Sequence, residues 1–178
     1  FNHAAYDVFN ASGVGASLPY NSGSTFGGPT PYRVSNSIGY LLPSNLGGFT
    51  GQLQYAMGEN ASTGAKDGNE VGMRFGYAAG PVAANIAYSK IKFAAGDITF
   101  TNLGASYNFG VAKVTALIDQ VKNNTVTSKG YVLGVNAPIG ASEIRASYAS
   151  YKTDAVGTPK SNKLAMGYAY NLSKRTVL

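Results

Sequence analysis

From residue 33 onward the chain alternates. Apolar side chains and small or polar ones take turns across 33–42, 48–58, 69–78, 82–92, 98–109, 111–121, 129–138, 141–152 and 161–172, and 175–178 opens another such run. Period-two alternation predicts β-strands with one apolar and one polar face. Each full segment is about ten residues long. That exceeds the usual globular strand and matches a tilted strand crossing a hydrocarbon layer.

The connections alternate as well. "PSNLGG", "AAGP", the single Gly110, "PIGAS" and "NLSKR" are short; "GENASTGAKDGN", "KFAAGD", "KNNTVTS" and "KTDAVGTPKS" are longer and polar. This order predicts antiparallel neighbours with one tight end and one elaborated end. A β-sandwich has no reason to keep its long loops together, whereas a bacterial outer-membrane barrel has short turns inside and long loops outside.

The two faces differ sharply in charge. One carries residues such as Ile38, Tyr40, Leu53, Phe75, Ile86, Leu103, Ile118, Leu133, Tyr148, Leu164, Met166 and Tyr170, with Lys90 expected as its one charge, at a loop end. Asn36 is its one awkward polar residue. The other face carries Arg33, Glu70, Arg74, Lys113, Asp119, Glu143, Arg145 and Lys163, spaced by Gly, Ser, Thr, Asn and Gln. A charge on the lipid side of a barrel costs about 2–4 kcal/mol at mid-bilayer, so such a partition is expected there. The reading is all-β: an antiparallel transmembrane β-barrel, apolar face to lipid and polar face to a water-filled lumen. Tyr77, Tyr107, Phe109, Tyr168 and Tyr170, all near short turns, form an expected aromatic girdle at head-group level.

Composition agrees. Of 178 residues only 12% are charged, against 44% hydrophobic, and the net charge is +6. No run of 18 apolar residues suggests a transmembrane helix. Cys is absent, which removes disulfide and thiol chemistry. His3 is the single histidine, too little for a transition-metal cluster, and no acid pair or Ser-His-Asp set suggests catalysis. "GGPTP" and "SGVGAS" lack the strand, Lys and helix of a phosphate loop. No enzyme, cofactor, metal or nucleic-acid partner is expected.

"RVSNSIGYLLPSNLGGFTGQLQYAMGEN" and "GYAYNLSKRTVL" resemble stretches of the β-proteobacterial general porins of the Neisseria, Burkholderia and Comamonas type, and the resemblance runs along essentially the whole chain. It implies a Gram-negative outer-membrane homotrimer of sixteen-stranded barrels, set in lipid and lipopolysaccharide, with a third external loop folded into the lumen. By its register 33–178 would be strands six to the start of fifteen, part of one barrel, and 1–32 the inward-folded constriction loop. About ten strands are then represented, and the other strands of the barrel would lie outside this sequence.

The function this implies is general diffusion of small hydrophilic solutes and ions. Five inner-face cations against three acids predict weak anion preference. Arg33, Arg74 and Arg145 are the candidates for a basic wall at the constriction, opposite a loop whose single acid is Asp7; Glu70, Lys113, Asp119, Glu143 and Lys163 are further lumen charges. A substrate-specific channel for sugars or organic anions, or a non-transport barrel such as an adhesin, is the alternative.

Overall fold

The computed structural model describes residue 8, residues 34–58 and 67–173, and the backbone of residues 176–177. Ten strands follow one another: β1 (Ser37–Leu41), β2 (Phe49–Ala56), β3 (Glu70–Ala79), β4 (Val82–Ile91), β5 (Ile98–Asn108), β6 (Lys113–Asn123), β7 (Val126–Ile139), β8 (Ser142–Thr153), β9 (Lys160–Ser173) and β10 (Thr176–Val177). They form a single sheet in sequence order, each strand antiparallel to the next. Every internal strand therefore satisfies its backbone groups through its neighbours, which is the condition for backbone inside lipid. β1 and β10 stand at the two edges.

The two faces are inverted relative to a water-soluble sheet. Glu70, Ser89, Asn102, Ser106, Thr115, Asp119, Ser128 and Ser147 are buried on one face, whereas Ile38, Ile118, Leu164 and Met166 on the other are 61–76% exposed. Burial of one face of a single sheet requires that it curl about that face or be covered there. In water the outer side chains would each forgo about 1.5–3 kcal/mol of transfer free energy. In hydrocarbon they are solvated by their own kind, so the fold is stable only with lipid around it.

Turn chemistry sets the hairpins. Gly80 and Gly140 open two-residue turns at φ 54° and 60°, in the left-handed region that the primed hairpin turns need. Asn124 takes the same conformation at φ 53°. This corrects the expected long connection "KNNTVTS": β7 starts at Val126 and pairs with Asn123, so only residues 124–125 turn the chain. The reason is that Val126-Thr127-Ser128 continues the strand period and Asn tolerates the left-handed position. The longer connections that remain at that end are 57–69, 92–97 and 154–159.

The first strand also differs from expectation. It begins at Ser37 because Asn36 sits at φ 49° and breaks the extended run, although its carbonyl still accepts from Met57 N at 3.0 Å. Asn36 is thus off the apolar face rather than an exception on it. The aromatic pairs Phe49–Tyr77 and Tyr107–Phe109, with ring centroids 5.0 and 4.5 Å apart, gather by the short turns as the girdle reading predicts.

Candidate functional site

Cross-strand register converts the polar phase of each strand into rows on the inner face. One row runs Gln52, Arg74, Ala87, Asn102, Asp119, Gly130, Tyr151 and Ser161 across β2 to β9. Another runs Asn108, Lys113, Asn136, Arg145 and Gly167 across β5 to β9. Arg74, Glu70, Lys113, Asp119, Glu143, Arg145 and Lys163 all fall on this face, as their parity requires. Arg33 and Asp7 lie outside the described residues.

Arg74 is flanked in its row by Gln52 and Ala87, so no acid stands beside it on either neighbouring strand. Asp119 is three strands away, about 14 Å along the ladder, and Glu70 is four residues up the same strand, about 13 Å. Both exceed the screening length of about 8–10 Å in salt water. Nε of Arg74 is buried with no hydrogen-bond partner among the described residues. Arg74 thus brings a guanidinium cation to the inner face.

Arg145 is held differently. Its Nε donates to Glu143 Oε1, two residues back on the same face of β8, and Nη1 donates to the carbonyl oxygen of Val8 at 3.3 Å. Gly134 on β7 lies close by, and a Cβ built there would stand 2.8 Å from Val8 Cγ1 and 2.6 Å from Thr115 Oγ1. A residue far upstream of the sheet therefore rests on the inner wall over a glycine notch. Arg74 and Arg145 are not brought together: five strand spacings separate β3 from β8, about 24 Å around the wall.

Sequence reasoning missed an apolar cluster on this polar face. Leu117, Val132 and Ala149 are 1–2% exposed and occupy one row, with Lys163 next along it. The available signal was a break in alternation, since "ALI" and "YVL" put three apolar residues in succession. Asn102 Oδ1 and Thr115 Oγ1, also buried here, have no partner among the described residues.

The expectation for the outer face also needs correction. Lys90 is not its one charge. Lys122, Lys129, Lys152 and Lys160 are exposed on the same face, at the same strand ends. They lie in the last turn of alternation before each loop, where long side chains can reach out of the apolar layer.

Among the described residues no helix is long and apolar enough to cross a membrane, which says nothing of strands, and no group of His, Cys, Asp and Glu could hold a metal.

The sequence profile of the Gram-negative porins matches residues 1–178. Outer membrane porin protein 32 of Delftia acidovorans is 35% identical over 188 aligned residues, 98% of this chain and 53% of that protein. Among solved structures, the anion-selective porin from Comamonas acidovorans superposes with a TM-score of 0.85 at 34% identity, over 98% of this chain and 56% of that one. OmpF of Salmonella typhi superposes at 0.66 with 15% identity over 78% of this chain and 51% of its own, which shows the fold alone. The chain spans about half the length of these relatives. They are porins, not enzymes, and the inverted faces described above are those of a barrel wall in lipid. The chain belongs to the Gram-negative porin family of the bacterial outer membrane.

Proposed function

We propose that this chain forms part of the wall of a water-filled diffusion channel that passes small hydrophilic solutes and ions, with weak preference for anions. The observation that carries the reading is the inverted sheet, with an apolar outer face and a charged, buried inner one on which Arg74 has no acid beside it. Fixed positive charge along a narrow aqueous path raises local anion concentration and lowers that of cations. The anion-selective Comamonas porin, at 34% identity, supports the same sign.

The channel closes with strands beyond the two edges β1 and β10, because open edges are too costly in lipid. In this reading 33–178 are strands six to the start of fifteen, and 1–32 fold inward as the constriction loop; the contact of Val8 with Arg145 and Gly134 supports that placement. The working unit is a homotrimer, as the family resemblance implies. Arg33 joins Arg74 in the basic wall.

Planar-bilayer recording tests the function. In a salt gradient at low ionic strength, Arg74→Ser together with Arg33→Ser should move the reversal potential toward cation preference, and the shift should shrink as salt rises. An unchanged reversal potential at low salt would remove these arginines as the source of selectivity. Exclusion of small sugars by the open channel would remove the diffusion reading itself.

A further inference from the structure

The inner face withdraws its acids more than its cations. Glu70 and Asp119 are 3% and 4% exposed, and Glu143 is tied to Arg145. Lys113 is exposed, and Arg74 and Lys163 are half-buried. A count of charges therefore understates how positive the wall is to an ion beside it. Asp119 lies in the middle of the wall, and the register brings a large side chain over it.

Asp119 on β6, Gly130 on β7 and Tyr151 on β8 are successive members of one row. A Cβ built on Gly130 would overlap Cδ2 of the Tyr151 ring and stand 2.6 Å from its Cε2. The same Cβ would stand 3.2 Å from Asp119 Oδ1. Ring and carboxylate therefore converge on one point above the glycine. Neighbouring strands are about 4.8 Å apart. A tyrosine upright on β8 would project into the lumen and leave β6 alone. Tyr151 instead lies along the row: it crosses β7 over Gly130, ends beside Asp119 and is only 4% exposed. Even a methyl group at 130 would collide with the ring, so the seat requires glycine for its size. Leu117, two residues before Asp119 on the same face and fully buried, adds an apolar neighbour on the other side.

Resting on the diffusion-channel reading above, we propose that Tyr151, seated on Gly130, is a selectivity-determining residue that covers Asp119 and keeps its carboxylate from the ion path. The attraction of a carboxylate for a passing cation falls with distance, and salt water shortens its reach further. The ring does not remove the charge. It removes the contact distance at which Asp119 would gather cations along a wall otherwise dominated by Arg74, Lys113 and Lys163. Laid flat, it does so without narrowing the passage. Gly130 and Tyr151 thus raise anion preference although neither carries a charge.

Reversal potential in a salt gradient at low ionic strength, recorded in planar bilayers on the intact porin carrying this sequence, tests the cover. Tyr151→Ala should lower the anion-to-cation permeability ratio by about twofold. Tyr151→Phe, which keeps the ring, should keep the parent ratio. Asp119→Asn alone should change the ratio less than Tyr151→Ala does. Tyr151→Ala combined with Asp119→Asn should return it to the parent value, because no carboxylate is left to uncover. A purely steric role for Tyr151 would raise conductance and would not respond to Asp119→Asn. If Tyr151→Ala does not assemble, Gly130→Ala carries the test, since its methyl displaces the ring, and Asp119→Asn should again cancel the change. An unchanged ratio in the ring-removing or ring-displacing variant overturns the proposal, as does a fall that persists with Asp119→Asn or one that Tyr151→Phe reproduces. A parent that passes no ions fails the channel reading and takes the proposal with it; a conducting parent with an unresponsive Tyr151 fails the proposal alone.

Discussion

Arg145 Nη1 donates to the backbone carbonyl of Val8 across 137 residues of sequence, and Glu143 on the same strand face holds the other side of the guanidinium. The contact gives Arg145 a positioning role on the wall. Gly134 makes room for Val8 by having no side chain. Gly134→Val should therefore push Val8 off the wall toward the lumen and lower single-channel conductance, with Gly134→Ala intermediate. Conductance equal to the parent in both would mean that the notch does not seat Val8.

The two described arginines should differ in selectivity. Arg145 shares its charge with Glu143, whereas Arg74 has Gln52 and Ala87 beside it. Arg74→Ser alone should shift the reversal potential in low salt more than Arg145→Ser does. The reverse order would show that the neighbouring acid does not cancel the Arg145 field in the lumen.

The outer apolar band should be intolerant of charge at its middle and tolerant at its ends. Leu133→Arg, on an exposed position deep in the band, should destabilise the barrel by about 2–4 kcal/mol, and Gln120→Arg, on the row of Lys129, by about 0–1 kcal/mol. Reversible unfolding from lipid vesicles measures both. Equal costs would contradict the assignment of this face to lipid.

Lys90 donates to Asp97 in the 92–97 connection and holds the Asp97 carboxyl below its ordinary range. A carboxyl depressed in the fold stabilises the folded connection above its unfolded value of about 3.9, and that contribution is lost as pH falls through the folded value. Both groups are exposed, so the effect is local and small. Proteolytic nicking at 92–97 should rise as pH is lowered below about 4, and Asp97→Asn should nick equally at all pH values. A parent profile that stays flat to pH 3 would show that the pair does not order the turn.

The hydrophobic period alone determined most of the wall. The eight long strands β2 to β9, their antiparallel order and the face each presents follow from alternation, because a one-residue slip would turn every apolar side chain from lipid to water. The aromatic ends by the short turns were legible for the same reason. The inner or outer side of Arg74, Arg145, Glu70 and Asp119 needed only parity.

Tertiary structure decided what parity cannot. The start of β1 after Asn36 and the two-residue turn at 124–125 depend on single left-handed residues, which alternation does not register. Pairing register decided that Lys129, Lys152 and Lys160 stand side by side and that Arg74 has no acid beside it, whereas composition showed only an excess of cations. The seat of Val8 on Gly134 and Arg145 joins residues far apart in the chain. No local pattern encodes such a contact, because it exists only once β7 and β8 have paired and set Gly134 and Arg145 on one face against Val8.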